Sequence, residues 1–148
     1  MSILVRHALG TNFGDGSNEW LFKNYIPGIK SEDCWKTNNK NYNCKTILGM
    51  GSIIDKVNKN DIVYGSGMMT PNFFPQHHPD ELKEMKMVIG PLTYNRLISK
   101  GYKVKKIFGD PGLLFSDFYK PTSIKKYKIG IIPHFVDKKQ SNIKKLAD

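Results

Sequence analysis

Short apolar runs that end in glycine recur along this chain. The stretch "ILVRHALGTNFGDGS" opens with an extended run over residues 3–9, interrupted by Arg6 and His7, and Gly10, Gly14 and Gly16 loosen the turn that follows. "KTILGMGSIID" and "NDIVYGSGMMT" place strands near residues 45–48 and 61–64, each running into a Gly-x-Gly turn, and "KVKKIFGDPGLLF" repeats the arrangement at Gly109. Helical patterns lie between them. Ser17 or Asp15 is positioned to cap a helix through "NEWLFKNYI", and Pro91 suits the first turn of "PLTYNRLISK", which Gly101 ends. Trp20, Leu21 and Tyr25 form the apolar stripe of the first helix and are expected in the core. Strands separated by crossovers predict an α/β fold with a parallel sheet, whose ligand loops gather at the carboxyl ends of the strands.

The remaining stretches carry no clear period. "SEDCWKTNNKNYNC" (31–44) and "TPNFFPQHHPDE" read as connections, and "SDFYKPTSIKKYK" as a linker-like break. A boundary near residue 123 follows, giving a domain over 1–123 and a remainder over 124–148. That remainder holds "YKIGIIPHFVDKK", with a strand expected from Tyr127 to Ile132, a His-Phe-Val-Asp turn and the start of a helix. About 25 residues cannot bury a core of their own. Either this strand joins the first sheet, or it begins a second, incomplete α/β unit.

Charge changes the picture in one respect. The 148 residues include 23 Lys+Arg against 13 Asp+Glu, a formal +10, so the long-range field favours anionic partners. Only Arg6 and Arg96 are arginines, and the abundance of Lys and Asn fits a compositional bias as well as selected anion binding. The lysines around the final strand read as a solvated face. The amino-terminal run lacks the sustained apolar core of a signal peptide, and no stretch approaches the roughly 20 apolar residues of a membrane span. Cys34 and Cys44 show no CxxC pattern, so free thiols and a cytoplasmic location are expected. His77 and His78 sit in a proline-flanked loop without further ligands at metal spacing, so they are expected at the surface, with no metal site.

Three residues carry candidate proton chemistry, each beside a plainer reading. Asp15 in "NFGDG" either caps the following helix or serves a site, and Gly14 and Gly16 either allow a tight turn or bring amides to an anion. Asp110 in "GDPG" fixes a turn or moves a proton. His134 stands at the carboxyl end of an apolar strand, where α/β ligands bind. "NFGDGSNEWL", "ILGMGSII", "VYGSGM", "GPLTYNRLISKGY", "GDPGLLF" and "YKIGIIPHFVDK", in this order, together resemble the polysaccharide pyruvyl transferases, which attach pyruvate to sugars as a ketal.

The resemblance implies a GT-B-like pair of Rossmann-like domains facing across a cleft, of which this chain supplies the first and one strand of the second. It implies phosphoenolpyruvate as donor, a saccharide acceptor and no further cofactor. It assigns catalysis to His134, Asp15 and Asp110, and substrate binding to Asn12, Gly14, Gly16, Ser52, Gly65, Ser66 and Gly67. One position departs from the pattern: the family's usual Arg before Gly-Pro-Leu-Thr is Ile89 here. An isoleucine cannot grip phosphate or carboxylate as a guanidinium does. With the second domain missing, the chain alone is expected to be inactive unless a complementary chain or a second copy completes the cleft. Two other classes fit the sequence less well. A dinucleotide enzyme lacks its GxGxxG spacing, and a basic module binding nucleic acid or anionic glycan lacks any helix-turn-helix, zinc-finger or RNP pattern.

Overall fold

A computed structural model of the protein describes residues 3–10, 12–37, 40–122, 124–133 and 137. The opening apolar run forms β1 (Ile3–His7), and further strands follow as β2 (Lys30–Asp33), β3 (Lys45–Leu48), β4 (Asp61–Ser66) and β5 (Met87–Val88). They make one parallel sheet in the order β2-β1-β3-β4-β5. The fold is therefore α/β, in an order that open, doubly wound sheets commonly adopt. Register sets Val5 beside Ile47 and Ile47 beside Ile62, while on the other face Arg6 aligns with Leu48 and Leu48 with Val63.

Both faces are covered, which explains why β1 reads as an almost unbroken apolar run. Helix α1 (Phe13–Tyr25) lies over one face, where Val5, Phe22 and Ile29 form a small cluster. The opposite face carries the larger core, with Leu48, Ile54, Val63, Met85, Val88 and Leu97 among its members. Leu97 comes from α2 (Pro91–Ser99), which Pro91 opens and Gly101, at φ 86°, closes as the sequence predicts. Arg6 is a polar intrusion into this second face. Its guanidinium is fully buried, paired with Asp61 at the start of β4, and donates to the Lys56 carbonyl at 3.0 Å. Removing either partner would strand a buried charge.

Four expectations are corrected. Residues 31–44 are not all connection, because Lys30–Asp33 pairs in parallel with β1. An edge strand buried on neither face needs no apolar pattern, so "KSED" hid it. Helix α1 begins at Phe13, capped by Asn12 rather than by Asp15 or Ser17, so Gly14 and Gly16 lie inside its first turns. Leu21 is buried, but Trp20 and Tyr25 remain 42% and 41% exposed. They are covered on one flank only, by Phe115 and Phe118 at the 3-10 helix Pro111–Asp117. Finally, Tyr127–Ile132 forms no strand and is exposed. Beside β5 the neighbouring position is instead taken by isolated bridges, Phe108 to Val88 and Val104 to Met85 just before the strand. These bridges are also what remains of the strand expected before Gly109. Among the described residues no helix is long and apolar enough to cross a membrane.

Candidate functional site

In a parallel sheet all strand ends of one kind share an edge. After β1 the chain moves to β2 on one side, then crosses back to β3 on the other, so a crevice opens between the carboxyl ends of β1 and β3, where open α/β sheets bind ligands. The amino terminus of α1 stands over this crevice. The Asn12 carboxamide oxygen accepts from the amides of Gly14 at 2.8 Å and Asp15 at 3.4 Å, fixing the first turn.

Asp15 lies in that turn, half-buried, with its carboxylate against Gly51: a Cβ added there would come within 3.2 Å of Asp15 Oδ1. Gly51 also holds φ 124°, a backbone region that side chains disfavour, so this approach depends on glycine. Burial pushes the Asp15 carboxyl up from its usual value, opposed by the nearby His7 imidazole. A carboxyl so shifted holds its proton to higher pH than an exposed aspartate does.

His7, at the end of β1, is fully buried. Its Nδ1 lies 3.0 Å from the carbonyls of both Ala8 and Asp15, so Nδ1 carries the proton and donates, while Nε2 has no hydrogen-bond partner. Asn18, one turn after Asp15, staples α1 to the loop after β3. It accepts from the Met50 amide at 2.8 Å and donates to the carbonyls of Met50 and Asp15 at 3.0 Å each. The staple also requires Gly49, where a Cβ would overlap the Asn18 oxygen.

The structure brings Asp15 and Asp110 to one neighbourhood from opposite ends of the domain. Pro111 rides over Gly65 of β4, and Gly112 lies beside the Met50 sulfur, so the Asp110–Gly112 turn borders the same loop that Asp15 touches. Asp110 accepts from the Gly112 amide at 2.8 Å and caps the 3-10 helix, as its turn reading anticipates. The other positions divide by how their polar groups are used. The Ser66 hydroxyl donates to the Gly49 carbonyl, and the Gly67 amide donates to the Gly51 carbonyl at 2.9 Å, so both tie β4 to the β3 loop. Ser52 is exposed beside them. Ile89 is 42% exposed, leans on Gly67 and precedes α2, so its side chain stands at the same edge. His134 lies outside the described residues.

Sequence reasoning missed His7 and Asn18, although both left a trace. His7 is a polar ring ending an apolar strand, the same signal that singled out His134. Asn18 shares a helical stripe with Leu21 and Phe22 at i+3 and i+4. His77 was expected at the surface, yet its side chain is only 13% exposed, because Tyr102 donates to its carbonyl at 3.1 Å and draws the loop inward. His78 is exposed and caps the short helix Pro79–Glu81. Cys34 and Cys44 are free thiols, and burial pushes Cys34 up to about 12. Among the described residues no three His, Cys, Asp or Glu side chains are grouped to hold a metal.

No family model matches the chain, and no solved structure matches it. Among curated proteins it is similar to Uncharacterized protein L143 of Acanthamoeba polyphaga mimivirus, with 31% identity over 132 residues, covering 86% of this chain and 43% of that protein. The chain thus spans less than half the length of this relative.

Proposed function

We propose that the chain is the donor-binding part of a ketal pyruvyltransferase of the polysaccharide pyruvyl transferase kind, and that phosphoenolpyruvate binds in the crevice between β1 and β3. The observation that carries this reading is the convergence of Asp15, the Gly49–Gly51 loop, the Asp110–Gly112 turn and Ile89 on one carboxyl edge, under the amino terminus of α1. A helix amino terminus favours an anion, and the overall charge of +10 draws one in. In this reading the enzyme has a GT-B-like architecture, with a second Rossmann-like domain facing the crevice and bringing the acceptor sugar. The greater length of the viral relative is compatible with such a domain.

Ketal formation protonates the methylene carbon of phosphoenolpyruvate, forms two bonds from sugar hydroxyls to the adjacent carbon, and releases phosphate. Two protons leave the hydroxyls. One goes to the methylene carbon, and the other leaves with phosphate or solvent. Asp15 is suited to the first transfer because burial raises its proton affinity. Asp110, held as a helix cap, serves geometry first.

Ile89→Arg tests the donor site. The position is part-exposed at the same carboxyl edge, beside Gly67, so a guanidinium there keeps its hydration, and melting temperature should not fall. Charge-assisted contacts to phosphate or carboxylate should strengthen phosphoenolpyruvate binding by about 1.5 to 3 kcal/mol. Titration by NMR at fixed ionic strength reads this through the amides of Asp15, Gly51 and Gly112. Binding that is unchanged, or that perturbs residues elsewhere, would remove the donor-site assignment.

A further inference from the structure

We propose that a polar cavity at the amino-terminal edge of the sheet, opposite the edge described above, is a binding site for a small oxyanion: a phosphate or a carboxylate group. The cavity has a volume of about 270 Å³. Its floor is Thr46, the second residue of β3, while Asn58 and Asn60 approach from the turn before β4, and Lys40, Lys59 and His77 complete the wall.

Two independent observations point to an occupant. The first is a buried ring nitrogen with nothing to bond. His77 Nε2 is buried without a hydrogen-bond partner. Thr46 has no exposed surface, and its hydroxyl faces the Asp61 carboxyl, whose Oδ1 has no other partner, so these two groups serve each other. His77 is held in place, because its carbonyl accepts from Tyr102 and its Nδ1 faces Glu81 at 3.8 Å. Buried polar atoms that the fold leaves unpaired carry a desolvation cost that a ligand or water relieves.

The second observation is the chemistry of the lining, which contains no carboxylate and is rich in donors. The Asn58 amide is spent on the carbonyls of Thr37 and Lys40, which fixes the wall and leaves anion contacts to Lys40, Lys59, Asn60 and His77. The two ammonium groups are half exposed and lean on Glu32 and Glu81. Such surface pairs are worth little, so both amines are free to turn toward a bound anion. A small oxyanion matches two cations, a carboxamide and an imidazole better than a neutral or cationic ligand would.

This site is independent of the pyruvyl-transfer reading, and the test separates them. The full chain is titrated with inorganic phosphate and, separately, with acetate, ionic strength being held with sodium chloride and the response followed by NMR. Saturable shifts are expected at the Asn60 amide and the His77 ring. Lys40→Ala combined with Lys59→Ala should weaken binding about tenfold, roughly the loss of one charge-assisted hydrogen bond. His77→Gln should weaken it too, whereas Lys83→Ala, an exposed lysine elsewhere, should not. Tighter binding of phosphate than acetate identifies a phosphate site, and the reverse a carboxylate site. Shifts no larger than those of chloride would mean a water-filled cavity, and undiminished affinity in the double lysine variant would mean diffuse attraction. Either would overturn the proposal. So would shifts centred on Asp15, Gly51 and Gly112, which would instead favour the carboxyl edge.

Discussion

Asn18 and Asp15 sit one turn apart on the same helix, and they test different parts of the site. Asn18 satisfies both the amide and the carbonyl of Met50 in a buried setting. Asn18→Ala leaves those groups unpaired and should cost about 1 to 3 kcal/mol, measured by urea denaturation. A loss below the error of the measurement would show that the staple is replaceable by water. Asp15 bears on pH. Its folded proton affinity is raised by burial, so at pH below its usual 3.8 it is protonated in folded and unfolded chains alike and its contribution is fully present. As pH rises through the higher folded value, the folded state must release a proton that it holds more tightly than the unfolded chain does, and stability falls. Asp15→Asn should therefore lose less stability than the wild type as pH rises from the usual 3.8 through the raised folded value, read from melting temperatures along that rise. A steeper decline in the variant would reverse the sign assigned here.

Helix α1 and the 3-10 helix Pro111–Asp117 are joined by aromatic contacts rather than by core burial. Trp20 stacks on Phe115 with centroids 5.0 Å apart, Tyr25 meets Phe118 edge-on at 4.7 Å, and the Tyr25 hydroxyl bonds Asp117. That hydrogen bond pushes the Tyr25 phenol up to about 12. Because the Asp110 turn is the amino-terminal cap of this short helix, the aromatic contacts indirectly hold Asp110 near the Met50 loop. Phe115→Ala should cost about 0.5 to 1.5 kcal/mol beyond its lost burial. It should also speed hydrogen exchange at the amides of Leu113 and Phe118 while leaving β1 protected. Unchanged exchange there would mean that Pro111 against Gly65 anchors the segment alone.

At the scale of the whole molecule, one edge of the sheet gathers carboxylates under a helix amino terminus and the other gathers lysines and carboxamides. In the proposed reading the chain supplies one wall of a cleft, and one wall carries only part of the preorganised field that a transition state needs. Purified chain incubated with phosphoenolpyruvate and a sugar acceptor should therefore yield no ketal product by mass spectrometry. Product from the chain alone would mean that the acceptor wall is unnecessary, or that a second copy provides it.

The parallel sheet was legible in the sequence because its central strands are short, mostly apolar runs that lead into glycine turns: "ILVRH", "KTIL" and "DIVYGS" stand where β1, β3 and β4 form. Pro91 and Gly101 likewise marked α2, since ring closure and positive φ are local properties. Edge strand β2 was hidden, because pairing with β1 rather than burial defines it, and pairing partners are not written locally. The same holds for function. The glycine loops announced a carboxyl edge, but only the fold decided that Asn18 would reach Met50, that Asp15 would rest against Gly51, and that Asp110 would arrive from 95 positions further along the chain. Hydrophobic periodicity fixes which face of an element is buried. Which buried faces meet depends on strand order and crossover, and these long-range contacts placed the polar groups of both edges.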